Sequence, residues 1–140
     1  MMDKQLKFLQ TLASMAEHQH PVGRARLASA VVYKGSIVAT GLNQYKSHPF
    51  QKQFGCNEDA IFLHAETDAI NRSLKIISKN DLTNSQLYVA RIKYSDTKRR
   101  HLVWGLAMPC PGCQAAIRRY GIKTTYYSTD IGTVGCLPLL

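Results

Sequence analysis

Two short segments hold residue types that can do chemistry together: His64-Ala65-Glu66 and Pro109-Cys110-Pro111-Gly112-Cys113. Cys110 and Cys113 are three apart, a spacing that places both on one face of a helix. Two thiolates and one imidazole make three soft or borderline ligands, a set that zinc takes in tetrahedral geometry. Three protein ligands leave the fourth position open to water, the mark of a catalytic zinc rather than a structural one. Zinc in hydrolytic sites lowers the pKa of water to about 7. Glu66 would then supply a carboxylate that takes the proton and delivers it to a leaving group. The chemistry so described is displacement of an amine by water at an electron-poor carbon.

Geometry restricts the elements that can hold such a site. Residues two apart in mid-helix point to nearly opposite sides. His64 and Glu66 can share one site only at a helix end, so the helix is expected to begin close to His64. The two cysteines also belong at a helix N-terminus, where the dipole and free N–H groups favour thiolates. The expected site is two helix N-termini facing each other at one edge of a sheet.

Periodicity supplies the remaining elements. Leu6, Leu9, Leu12, Ala13 and Ala16 predict an amphipathic helix over residues 4–18, ended by Pro21-Val22-Gly23. Residues 28–33 and 36–40 flank Lys34-Gly35 and read as two strands of a tight hairpin. A polar loop is expected from Gly41 to about Asp59. Leu63, Ala65, Ala69, Ile70, Leu74 and Ile77 predict a helix over 63–78, stopped by Asn80-Asp81. Residues 86–92 form a strand, Ser95 to Arg100 a basic turn, and 101–106 a shorter returning strand. A helix over 110–120 has Pro111 in its first turn and Gly121 just past its end. A strand over 122–128 and a short edge strand in the tail complete the chain. Interleaved helices and strands imply an α/β fold, a central sheet covered by helices on both faces.

The chain has 140 residues and 15.7 kDa, a length that suits a single domain over 1–140. Apolar residues make up 45% and charged residues 19%, enough to bury a core. No apolar run is long enough to cross a bilayer, and Met1-Met2-Asp3-Lys4-Gln5 opens no secretion signal. A cytoplasmic protein with no membrane partner is expected. The formal charge of +9 favours an anionic ligand or surface, such as a nucleotide or nucleic acid. Four cysteines are present, Cys56, Cys110, Cys113 and Cys136. In a reducing setting the Cys-x-x-Cys pair points to metal or redox chemistry rather than a disulfide.

His-x-Glu followed by Pro-Cys-x-x-Cys resembles the signature of the zinc-dependent cytidine and deoxycytidylate deaminases and their nucleic-acid-editing relatives. The match covers His64, Glu66, Pro109, Cys110 and Cys113, and the order of elements around them fits that family's three-layer αβα sandwich with a central mixed sheet. The resemblance implies Zn2+ as cofactor, with His64, Cys110 and Cys113 as ligands and Glu66 as proton shuttle. It also implies that the Ala65 N–H faces the pyrimidine carbonyl and that Asn43 touches sugar or base. Tyr126, Tyr127 and Asp130 fall where the family lines its substrate mouth. A homo-oligomer is implied as well. Two segments depart from the family pattern. An excursion from about Arg91 to Met108, tipped by Lys98-Arg99-Arg100-His101, precedes Pro109, and the stretch Lys46-Ser47-His48-Pro49 to Cys56 replaces the usual Gly-rich run.

Three functions follow from these residues. The first is a deaminase of a free cytosine nucleoside or nucleotide, such as cytidine or dCMP. The second keeps the chemistry and moves it to a base within RNA or single-stranded DNA, which the positive charge suits. The third is a non-catalytic zinc or redox module that binds an anionic partner. In the third case Cys110 and Cys113 form a redox dithiol, or Cys56 or Cys136 closes the zinc site as a fourth ligand. Cys56 and His48 are either a second metal site or a loop thiol and a surface imidazole. Cys136 is expected to be packed, His18, His20 and His101 to face solvent, and Trp104 to lie in the core or an interface rather than under a base. Lys98-Arg99-Arg100 either holds phosphate or is a solvated turn, and Arg118 and Arg119 lie two turns from the cysteines, on the side of a partner or subunit.

Overall fold

The computed structural model describes residues 3–18, 25–44, 49–53, 64–96, 98 and 101–138. The hairpin reads directly from its turn. Strand β1 (Ala25–Tyr33) and strand β2 (Ser36–Leu42) pair antiparallel. Lys34 and Gly35 between them both adopt positive φ, 52° and 79°. Two consecutive left-handed residues give the turn whose twist matches the flanking strands. Strand β3 (Ser85–Tyr94) pairs antiparallel with β1 and parallel with strand β5 (Thr124–Ser128), which pairs antiparallel with strand β6 (Val134–Pro138). The order is β2-β1-β3-β5-β6 in one mixed six-stranded sheet. The expected edge strand in the tail is β6.

Strand β4 (Leu102–Gly105) pairs with Arg91–Tyr94, whereas β5 pairs with Gln86–Val89. The two therefore follow one another along the same side of β3. The excursion before Pro109 is a hairpin that folds back on the strand it leaves.

Alternation along β3 assigns the two faces. Tyr88, Ala90 and Ile92 join Ala28, Ala30 and Val32 against helix α1 (Asp3–Glu17), whose Leu9, Leu12 and Ala16 are fully buried. Leu87 and Val89 join Val31 on the opposite face. There they pack against helix α3 (Ala65–Ser73) through Ala69 and Ile70, and helix α5 (Pro111–Tyr120) through Ala116 and Ile117. A sheet buried on both faces between helical layers is the αβα sandwich expected from the order of elements.

Two expectations need correction. The helix expected over 63–78 ends at Ser73, and Asn80-Asp81 do not stop it but sit inside a separate helix α4 (Lys79–Leu82). The Ser73 hydroxyl donates to the Ile70 carbonyl at 2.7 Å, one of the local bonds by which serine competes with helix continuation. Ser78 then restarts the helix. Its hydroxyl accepts from the Asp81 N–H, and the Asp81 carboxylate accepts from the Ser78 N–H, a complete capping box. Leu74 and Ile77 keep the apolar rhythm and still pack on the core, so periodicity alone runs through the break. The polar loop after Gly41 also contains a short helix α2 (Pro49–Lys52), which buries Phe50 and Gln51.

Candidate metal centre

Two helix N-termini build the site. His64 is the N-cap of α3, with φ −83° and ψ 156°, and Cys110 is the N-cap of α5, with φ −68° and ψ 167°. Each extended residue turns its side chain out ahead of the first turn. Pro111 opens α5, where its missing N–H costs nothing, and Cys113 follows within the same first turn. Gly121 ends α5 in the left-handed conformation, φ 68°, as its position past the last turn predicts. The crossover from β3 through α5 to the parallel β5 carries the N-terminus of α5 to the C-terminal end of β3.

His64 Nδ1 lies 3.6 Å from Cys110 Sγ and 3.3 Å from Cys113 Sγ. The three ligand atoms all fall within 4.8 Å of one another, which places the group to hold one metal ion. A tetrahedral zinc with ordinary Zn–N and Zn–S bonds sets its nitrogen and sulfur ligands about 3.5 Å apart, so the donor set fits. Among the described residues no further His, Cys, Asp or Glu joins this group. Cys136 is exposed on the edge strand β6 and does not close the site. Its expected burial is corrected: on an outermost strand its side chain has no layer to cover it. Cys56 and His48 lie outside the described residues, as do His20, Arg99 and Arg100.

The metal-free electrostatics already separate the roles of the two thiols. Hydrogen bonding from Cys113, with His64 adding to it, lowers Cys110 to about 4. Cys113 moves the other way, because it is the donor in that pair and is buried. His64 is raised, chiefly by its hydrogen bond to Cys110. Glu66 is 4% exposed, and burial raises its carboxyl above the usual range. It faces both His64 and Cys113.

Close packing on β2 fixes the first turn of α3. A Cβ at Gly41 would run into the Ala65 carbonyl, the Ala69 N–H and, at 2.9 Å, the Asp68 side chain. Asp68, 4% exposed, accepts from the Leu42 N–H at 3.1 Å and from Arg72 Nε at 3.0 Å. Asn43 sits just beyond, half-buried, and its side-chain oxygen accepts from the Leu27 N–H at 3.0 Å. It thus ties the end of β2 to β1. Ala65 is fully buried in the first turn of α3.

The approach to Cys110 is pinned from β5. The Ser128 hydroxyl accepts from the Arg91 N–H at 3.0 Å and donates to the Gly105 carbonyl at 2.8 Å. The Ser128 carbonyl accepts from the Ala107 N–H at 2.9 Å. Asp130 accepts from the Leu106 N–H at 3.0 Å and pairs with Lys93 at 3.1 Å. Tyr126 turns to the α1 face and stacks on Tyr88, while Tyr127 packs on the α3–α5 side. Trp104 packs against the α1-side core, and His101 and His18 are exposed, as expected. Sequence reasoning missed Gln51, Asp68 and Ser128. Nothing near these three in the chain marks them.

No individually curated protein matches the chain significantly. Among solved structures, a dCMP deaminase from the cyanophage S-TIM5 in apo form aligns with TM-score 0.50 and 23% identity, covering 89% of this chain and 79% of that one. A cytidine deaminase from Burkholderia pseudomallei aligns with TM-score 0.64 and 14% identity, covering 94% of this chain and 90% of that one. These likenesses establish the fold. The family model for the cytidine and deoxycytidylate deaminase zinc-binding region matches residues 2–129. A match of that extent, over a sandwich whose two motifs meet at facing helix ends, makes the chain a member of the zinc-binding cytidine and deoxycytidylate deaminase family.

Proposed function

We propose that the protein is a zinc-dependent hydrolytic deaminase of a free cytosine nucleoside or nucleotide. The observation that carries this reading is the meeting of His64 Nδ1 and two cysteine sulfurs at ligand spacing, with a buried carboxyl of raised pKa two residues from the imidazole. His64, Cys110 and Cys113 hold the metal, and when bound zinc supplies a Lewis acid that makes water acidic near neutral pH. Glu66 takes a proton from the attacking water and passes it to the departing C4 amine. A C–O bond forms at C4, the C–N bond breaks, and ammonia leaves with the corresponding uracil nucleoside or nucleotide as the other product. Burial, which raises the Glu66 carboxyl, favours a group that can hold the proton between its two transfers. The Ala65 N–H, in the first turn of α3, and Asn43, just past the end of β2, are the proposed contacts to base and sugar. The enzyme acts as a single domain in the cytoplasm and assembles with copies of itself.

The test is a deamination screen over cytosine, nucleosides, mono- and triphosphates, and single-stranded oligonucleotides, with ammonia as readout. Release from a free nucleoside or nucleotide supports the proposal. Release from oligonucleotides alone, with steep salt dependence of binding, assigns the substrate to a polymer. Ammonia from none of them leaves a zinc or redox binding module.

A further inference from the structure

Helices α3 and α4 solve the same problem at their N-termini in different ways. An N-cap side chain normally accepts from the N–H groups of the first turn, and the third residue of the helix reaches back to the N-cap N–H. α4 does both with its own residues, Ser78 and Asp81. α3 can do neither. Its N-cap is His64, whose side chain is directed to the two sulfurs and makes no cap hydrogen bond. Its third residue is Thr67, whose hydroxyl reaches back to donate to the His64 carbonyl at 3.1 Å and does not accept from the His64 N–H.

The missing acceptor comes from α2. Gln51, 0% exposed, places Oε1 at 3.1 Å from the His64 N–H, and the Thr67 hydroxyl donates to the same oxygen. An N–H can only donate, so the amide orientation follows from its neighbours. The other end of the amide is idle: Gln51 Nε2 is buried and makes no hydrogen bond among the described residues. Burying an amide donor without a partner costs about 1–3 kcal/mol. An apolar side chain of the same size would fill the space without that cost, so packing does not account for a glutamine here. Its carbonyl does.

We propose that Gln51 is a positioning residue for the metal ligand His64: its carbonyl fixes the His64 peptide and, through it, the aim of the imidazole at Cys110 and Cys113. This rests on the metal-centre reading above. It assigns a function to a residue outside both sequence motifs, and it makes α2 part of the site.

Two substitutions separate the acceptor from the volume. Gln51→Met keeps the size and removes the carbonyl. Gln51→Glu keeps an acceptor oxygen and exchanges the idle amino group for the second oxygen of a carboxyl group. Zinc affinity of the metal-free protein is measured by competition with a chromogenic chelator, with thermal unfolding and circular dichroism as folding controls. Loss of a partner that orients a metal ligand typically weakens binding 10–100-fold. Gln51→Met is expected to lose about tenfold or more on that scale, and Gln51→Glu to stay within about threefold of wild type. Wild-type affinity in Gln51→Met overturns the proposal, and so does an equal loss in both variants. Should Gln51→Met not fold, Thr67→Val replaces it, because it leaves Gln51 in place and removes the hydroxyl that orients the amide. Weakened zinc binding there, with Gln51→Glu intact, supports the role; any other pairing overturns it. Wild-type stoichiometry keeps the two readings apart. A wild-type chain that takes up no zinc fails as a metal centre, whereas a zinc-binding chain indifferent to residue 51 fails only in this role.

Discussion

The two helical layers of the sandwich bury different chemistry. α1 contributes Leu9, Leu12 and Ala16 to its face, with Phe8, Tyr88 and Tyr126 in a row of tilted and stacked rings beneath it. Among the described residues of α1 no polar residue is buried whole, though the Gln5 Oε1 atom is shielded from solvent. The opposite layer buries Gln51, Glu66, Thr67, Asp68 and Ser73. An apolar layer contributes stability through area removed from water and tolerates any filling of the right shape. A layer with five buried polar groups costs stability wherever a partner is missing, and depends on each bond being made. One layer thus supplies the free energy that the other uses to hold strained electrostatics in place.

The contrast predicts how each layer fails. Glu66→Gln is expected to lower turnover on the order of 10²–10⁴-fold, the share commonly due to general acid–base catalysis, while zinc content by metal analysis stays at wild type. Loss of zinc together with turnover would move Glu66 from chemistry to architecture. Leu12→Ala should cost about 3 kcal/mol in a denaturant titration, from lost burial and the cavity left behind. Zinc affinity should hold in that variant. A parallel fall in zinc binding would mean that the layers are not separate in function.

Gly41→Ala tests the seam between sheet and site layer. A methyl group there meets backbone of α3, which must shift. A cost of about 1–3 kcal/mol is expected from overpacking, together with weaker zinc binding because His64 rides on the displaced turn. Unchanged zinc affinity would show that the first turn of α3 moves without its N-cap.

The smallest effect concerns pH in the metal-free protein. Folding favours the neutral form of Glu66, because burial raises its pKa above 4.5. That contribution is full below 4.5 and is lost as pH rises through the folded value. Metal-free Glu66→Gln should therefore match wild type below pH 4.5 and unfold at a higher temperature than wild type at neutral pH. Equal melting temperatures across that range would show that the carboxyl is better solvated than its burial implies.

The parts of this molecule that could be read from sequence are those whose partners lie nearby in the chain. Cys110 and Cys113 share a turn, and the steric limits on His64 and Glu66 place a helix end between them before any fold is known. The Lys34-Gly35 turn and the Pro111–Gly121 limits of α5 follow from local backbone preferences in the same way. Gln51 could not be found like this. Its helix has four residues, too few to show a period, and its partners are His64 and Thr67 across a stretch of chain with no regular pattern. The break at Ser73 was hidden because Leu74 and Ile77 remain apolar and packed while the backbone between them turns. Cys136 was misjudged because a thiol's burial depends on which strand is outermost, a property of topology rather than composition.

The β3–β4 hairpin has a mechanical consequence. Its two legs meet with Arg91 opposite Gly105, and Ser128 grips both sides of that junction through one hydroxyl. The chain leaves and re-enters the sheet at the same place, so whatever is threaded between the legs hangs outside the load path to Cys110. The ion-holding end of α5 is anchored at that clasp, independently of the residues between the two legs.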